Sequence, residues 1–472
     1  MVNKFSRKCW AGALSFAVIT FSAASFAKQK TAIVVGAGLS GLTAAYELQE
    51  NNYDVTVLEA RDRAGGRIYT LVSGFKDNQH AEAGGELLDA ERVHPAVHSY
   101  INEFDLGLED VGYDEVDGAY YVNGQLVPFD DVKKVLGKKI NRDFNRFWDA
   151  LEELAELVPS PEYVDQSPNA YSLDRMSVAD WLDTLELLPE SRTLADQYIN
   201  GEYGSPEDVS LLFLAHQTKV YEDIDDDEVE IFRVAGGNSR LPEAFAEKLN
   251  NPVVLNAPVT EIKQNRKRVT VLAGGKAYKA DYVVVTVPAP VLNKIEFTPN
   301  LPISIRVAAD QLSYGSHTKV IMQFSKRFWL EQGLSGDTAS ELPIGWTWEA
   351  TDQQDGQAGI LIAYTSGRNA DAQKYKKNSG IIKNKLKQVE AMYPGSTQYF
   401  LKAQVQSWNR EPWTGGGYSA YSPGQVTSLW GAFDEPYGRI FFAGEHTDTL
   451  YPGYMEGAVR SGQKAAESIV YQ

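Results

Sequence analysis

The residues with the plainest chemical potential are Gly36, Gly38 and Gly41, spaced G-x-G-x-x-G in "VVGAGLSGL". An apolar run, Ala32 to Val35, precedes them, a helical pattern from Leu42 to Glu50 follows, and Glu59 ends the next apolar run 21 residues after Gly38. Such glycines permit a tight turn and the close approach of a pyrophosphate, the helix N-terminus favours its negative charge, and the carboxylate accepts from ribose hydroxyls. In this setting the pattern points to dinucleotide binding. A second residue that invites chemistry is Lys319, within "LSYGSHTKVIMQF". Val320, Met322 and Phe324 alternate as the core face of a strand should, which leaves His317, Lys319, Ile321 and Gln323 on the other face. Read locally, Lys319 stands at the rim of a half-exposed strand, because lysine is rarely buried without a partner.

The elements that must position these groups are interleaved along the chain. The glycine turn lies inside a βαβ unit whose second strand runs from Val55 to Leu58. Residues 98 to 229 read mainly as helices and include an acidic loop, "YEDIDDDEVE", which lacks the glycine and closing glutamate of a calcium loop and is expected to be solvated. Glycine-punctuated strands return from residue 230 to 293. Residues 294 to 407 then mix long strands with a helix near Ile381 to Met392, and the chain closes on a strand, a turn and a helix.

A chain of 472 residues is too long for one compact core, so at least two domains are expected, each able to enclose a ligand. The first residues read as a secretory signal: Lys4, Arg7 and Lys8 precede an apolar stretch from Trp10 to Phe21, and Ser25 and Ala27 set a cut after Ala27. "SRKCW" is also similar to a twin-arginine signal with one arginine replaced by lysine, which leaves two export routes open. The expected location is periplasmic or extracellular. No later segment supplies about 20 apolar residues in a row, so no membrane span is expected. Removing residues 1–27, with three cations and no acid, takes the net charge from −18 to −21. So acidic a surface argues against nucleic acid and anionic lipid as partners and favours cationic ones. The single cysteine, Cys9, leaves with the signal, so the exported chain has no disulfide, cysteine nucleophile, thiolate metal site or cysteinyl cofactor bond.

Beyond the glycine turn, "EARDRAGGR" (Glu59 to Arg67), "AEAGGELLD" (Ala81 to Asp89), "FRVAGGNSRLPEAF" (Phe232 to Phe245), "SWNREPWTGGGYSAYSPG" (Ser407 to Gly424) and "FFAGEHTDTLYPGYMEGAVRSG" (Phe441 to Gly462) resemble the motifs of the flavin-dependent amine oxidase superfamily, in its order. The resemblance implies an α/β fold: a Rossmann-like FAD-binding domain of the GR2 type (31–97, 230–293 and 408–472), interleaved with an α+β substrate-binding domain carrying a mixed sheet (98–229 and 294–407). It implies that Gly36, Gly38, Gly41, Glu59, Arg61, Arg67 and Val259 hold the adenine dinucleotide half of FAD. Gly85 and Glu86 would lie near the flavin, with Gly444, Glu445 and the backbone N–H of Met455 at the ribityl chain and pyrimidine edge, and Trp408 beside the ring. Tyr418 and Tyr454 match the facing aromatic pair that guides an amine nitrogen to the flavin. Lys319 matches the family's lysine, linked through a water to flavin N5, where a cation assists reoxidation. FAD is expected to be bound without a covalent bond, since Gly417 stands where cysteine-linked members carry the attachment residue.

The implied reaction is hydride loss from the α-carbon of a neutral amine to the flavin, hydrolysis of the imine to a carbonyl compound and ammonia, and reoxidation by O2 to H2O2. A primary amine, aromatic or a diamine, is expected as substrate. In the snake-venom type of L-amino acid oxidase an arginine clamps the carboxylate where this chain has Glu86 and Leu87, although Arg92 or another arginine could reach it from elsewhere. Trp346, Trp348 and Glu349, in "GWTWEA", are expected to line the substrate cavity, with Glu349 either an anchor for a distal ammonium or an exposed strand residue. No metal site is expected. An L-amino acid oxidase, a carotenoid or porphyrin desaturase, and a flavoprotein subunit that passes electrons to a partner protein remain the alternatives.

Overall fold

The computed structural model describes residues 29–111 and 116–472, so the export signal read over residues 1–27 lies outside the described residues. Four parallel strands form the first sheet, in the order Ile440–Phe442, Tyr282–Val285, Thr31–Val35 and Asp54–Leu58. Ile33, Val34, Val57, Val283 and Val284 are buried, as strands covered on both faces require. Helix Leu39–Glu50 leaves the first strand through the glycine turn and packs beside helix Met455–Val470. At Gly41 a Cβ would stand 2.1 Å from the Gly36 carbonyl oxygen, so the turn closes only with glycine there. Glu456, in the first turn of the last helix, accepts from the backbone N–H of Ala96 at 3.0 Å and of Val97 at 2.9 Å. It thereby caps helix Pro95–Glu103, which has no side-chain cap of its own.

A seven-stranded mixed sheet forms the second layer, in the order Phe400–Ser407, His317–Phe324, Gly359–Ser366, Trp346–Glu349, Thr338–Ser340, Ala119–Val122 and Gln125–Pro128. Helices from the segment between residues 138 and 220, led by Lys138–Ala155 and Leu211–Val220, build a core beside it that is continuous with Ile33, Val35, Leu58 and Val283 of the first sheet. A smaller four-stranded sheet is formed within residues 259–298.

Strand His317–Phe324 is buried at every residue, which corrects the half-exposed strand expected from its alternation. Val320, Met322 and Phe324 pack with Ile381, Val389 and Met392 of helix Asn378–Met392. The opposite face is not wet, because segment 75–83 of the dinucleotide half covers it: Ile321 packs with Phe75, Ala81 and Ala83. Gln323 is satisfied there by the backbone of Lys76 and by Gln79. Lys319 therefore lies at the seam between the two halves, 5% exposed. No helix among the described residues is long and apolar enough to cross a membrane.

Candidate active site

One cavity of about 380 Å³ runs from the glycine turn to the helical segment. At its first end lie Gly36, Gly38, Glu59, Arg61 and Val259. The Glu59 carboxylate accepts from the backbone N–H of Ala37 at 2.8 Å and of Arg61 at 2.9 Å, fixing it at the mouth of the turn. Gly41 stands behind the turn and does not line the cavity. Arg67 donates to the Gly417 carbonyl and to Glu445, each at 2.7 Å, and Glu445 also accepts from Ser419 at 2.7 Å and from the Gly453 N–H at 2.8 Å. Burial alone would raise the Glu445 carboxyl, but the Arg67 guanidinium overcomes it and holds the acid below its ordinary value. Gly444, expected at the cofactor, is off the cavity wall: its N–H goes to Ser461 Oγ of the last helix at 3.0 Å, because the backbone turns there into the short 3-10 helix Glu445–Thr447, which packs on that helix.

Midway lie Gly85, Glu86, Lys319, Trp348, Trp408 and Met455. Lys319 Nζ donates to Glu86 Oε2 at 2.8 Å, the Gly84 carbonyl at 2.9 Å and the Glu82 carbonyl at 3.2 Å, and stands 5.1 Å from the centre of the Trp348 ring. An ammonium has three donors, and each has a protein acceptor here, an arrangement tighter than the water-linked lysine that the sequence implies. Glu86 in turn accepts from Trp348 Nε1 at 3.0 Å and pairs with Arg233 at 3.2 Å, whose other arm meets Asp352 at 2.7 Å. Glu86 is thus the counter-ion of Lys319. Trp408 is anchored by its Nε1 donating to the Ala83 carbonyl at 2.9 Å.

Tyr418 and Tyr454 line the cavity beyond this point. Tyr418 lies face-on to His317, ring centres 4.4 Å apart, and its hydroxyl is fixed by Tyr364 at 3.1 Å and by the Glu202 carbonyl at 2.8 Å. Tyr454 packs against Tyr221, Tyr451 and His94. Burial raises both phenols well above 10, so they stay neutral. Burial, and then the Lys319 charge, lower the His317 ring to about 3, and burial lowers His94 to about 4. Neither imidazole carries charge near neutral pH.

Trp346 and Trp348 line the cavity, whereas Glu349 does not. Strand side chains alternate, so Glu349 faces away from both tryptophans, and its carboxylate pairs with Arg327 and accepts from Trp329 Nε1 at 2.5 Å. It is neither a substrate anchor nor an exposed residue, at 9% exposure. Arg92 is exposed, pairs with Glu228 and is off the cavity. Carboxylates that the sequence did not single out stand at the far end instead: Asp89, Glu202, Glu230 and Asp337. Glu230 closes the acidic loop expected to be merely solvated.

The site fits a flavin dinucleotide. Helices Leu39–Glu50 and Met455–Val470 both begin on the cavity without side-chain caps, leaving N–H donors for a pyrophosphate and for an electron-rich ring. Gly38 and Gly66, both on the cavity wall, also approach so closely that a Cβ on Gly66 would stand 3.0 Å from Gly38 Cα, so bare backbone faces the cavity there. The sequence profile of the flavin-containing amine oxidoreductases matches residues 39–470. The chain belongs to that family. It is 29% identical over 456 residues to flavin-containing amine oxidase A of Canis lupus familiaris, covering 93% of this chain and 84% of the relative. Against flavin-containing amine oxidase B of Homo sapiens the identity is 28% over 461 residues, 93% and 86% of the two chains. Among solved structures, cyclohexylamine oxidase from Brevibacterium oxydans IH-35A superposes with a TM-score of 0.86 at 28% identity, and a putrescine oxidase bound to putrescine with 0.84 at 27%. Each covers 94% of this chain and 99% of the other. The protein is a flavoenzyme of the amine oxidase type, with FAD as its cofactor and the fold of its relatives.

Proposed function

We propose that this chain is an exported oxidase that deaminates a primary amine, with release of an aldehyde, ammonia and H2O2. The observation that carries the reading is the charge of the cavity beyond Tyr418 and Tyr454, where carboxylates line the wall and no cation among the described residues is placed to clamp a substrate carboxylate. Lys319 is committed to Glu86 and Arg67 to Glu445, while Arg61 and Lys294 meet the loop at Glu411, Pro412 and Trp413. An L-amino acid would bring its carboxylate against this wall. Bound FAD supplies the two-electron oxidation of the amine at its α-carbon. The residues supply the rest: neutral tyrosine faces receive the amine, a dry aromatic passage disfavours its protonated form, and Lys319 holds positive charge where reoxidation by O2 gains from it. Export rests on the signal read in residues 1–27, and oxygen as acceptor on the lysine. The test is an aerobic peroxide assay that compares tyramine, phenethylamine and putrescine with L-phenylalanine, L-tyrosine and L-lysine. Amines should lead. An amino acid ahead of all three amines by about tenfold, ~1.4 kcal/mol of transition-state preference, overturns the reading, and amine turnover without peroxide would point to a partner protein as acceptor.

A further inference from the structure

We infer that the far wall of the substrate cavity, formed by Glu202, Glu230 and Asp337, takes a second ammonium group, so that the substrate is an aliphatic diamine. The inference rests on the primary-amine reading of the same cavity and narrows it. Glu202 lies near the end of helix Pro189–Glu202, Glu230 precedes strand Phe232–Val234, and Asp337 precedes strand Thr338–Ser340, so three separate segments deliver acids to one wall. None of the three side chains accepts a hydrogen bond or forms an ion pair among the described residues, and Asp337 Oδ1 is fully buried without a donor. Asp89, the fourth acid, differs: its carboxylate is satisfied by the Tyr221 hydroxyl at 2.9 Å and the Glu230 N–H at 2.8 Å. Carboxylates inside a protein are paired or else forced to hold protons, because an unpaired buried charge is costly. Burial, then Asp89, raises Glu202 to about 7, and burial, then Asp117 and Glu202, raises Asp337 to about 7. A diamine's distal ammonium is the missing counter-charge.

The geometry gives the cavity a direction. Trp348 stands over Lys319, whereas Trp346, two residues back on the same strand, donates to the Gln197 carbonyl at 3.0 Å and packs against Gly201, next to Glu202. Two strand residues span about 7 Å, so the strand meets the segment of Glu202 about one short alkyl chain from where it meets the lysine. The Glu202 carbonyl also holds the Tyr418 hydroxyl, which joins the acid wall to the aromatic passage.

The experiment compares kcat/KM for putrescine and cadaverine with that for butylamine and pentylamine in the holoenzyme, then repeats it for Glu202→Gln, Glu230→Gln and Asp337→Asn, singly and in pairs. The wild type should prefer each diamine over its monoamine by about tenfold or more, and the preference should fall by at least about tenfold when two of the acids are replaced, mostly through KM, as loss of one partner of a buried charge pair dictates. Each variant is checked for a bound-flavin absorbance spectrum, so a misfolded one is replaced by the next of the three. A wild-type preference for the monoamines, or a diamine preference unchanged in every folded variant, overturns the inference and leaves the primary-amine reading standing. Turnover of amino acids alone would instead bring down that reading itself.

Discussion

Buried Lys319, Glu86 and Arg233 and half-buried Asp352 form a row of alternating charge at the seam of the two halves. Methionine in place of Lys319 leaves Glu86 and Asp352 facing the single cation Arg233, so the local charge becomes net negative where the reduced cofactor is itself electron-rich. Lys319→Met should therefore slow reoxidation by O2 by about tenfold or more, ~1.4 kcal/mol, while reduction by substrate changes less. Rapid-mixing traces of the two half-reactions check this, and an unchanged oxidative trace would reduce Lys319 to a structural ion pair. That Lys319 and the two tyrosines share one cavity was legible because each sits inside a local motif. Glu86 was legible as a residue of the cavity but not as the partner of Lys319, since the two are joined only by a contact across 233 positions.

At the scale of elements, the loop carrying Gly415 to Tyr418 lies against strand His317–Phe324: the Gly417 N–H donates to the Gly315 carbonyl at 2.8 Å. A Cβ at Gly417 would stand 2.3 Å from His317 Cδ2, and that ring is held in parallel stacks by Tyr364 and Tyr418. The position before the aromatic passage thus has no room for any side chain, cysteine included. Acid precipitation of the holoenzyme should leave flavin in the supernatant, and flavin in the pellet would contradict a non-covalent site. The same strands show what pattern reading gets right and where it stops. Alternation in "GWTWEA" was enough to put Trp346 and Trp348 on one face and Glu349 on the other, so the error over Glu349 came from setting aside a signal that was present. Alternation in "HTKVIMQF" instead misled, because it cannot report that segment 75–83, more than 230 positions away, covers the second face.

On the scale of the whole molecule, the cavity joins a dinucleotide end whose motifs are continuous in sequence to an acid wall assembled from segments near residues 202, 230 and 337. The first end was readable and the second was not, because nothing local distinguishes these three acids from the 63 acidic residues of the chain, most of which serve solvation. Their mutual repulsion has a pH signature. Glu202 faces Asp89, Asp337 faces Asp117 and Glu202, and Glu230 faces Glu202, Asp89, Asp337 and Glu86; in each case burial comes first and raises the carboxyl further. Below about 7 the free wall therefore holds protons, and an ammonium must displace them to bind. The ratio of kcat/KM for putrescine to that for butylamine should rise between about pH 6 and about pH 8, with deprotonation of the reacting amine cancelling between the two substrates. A ratio flat in pH would mean that the wall does not touch the substrate. The most direct test of the account remains the aerobic comparison of amines with L-amino acids by peroxide release. The account predicts peroxide from amines at higher kcat/KM than from any amino acid, and peroxide from an L-amino acid at about tenfold higher kcat/KM than from tyramine, phenethylamine and putrescine would contradict it.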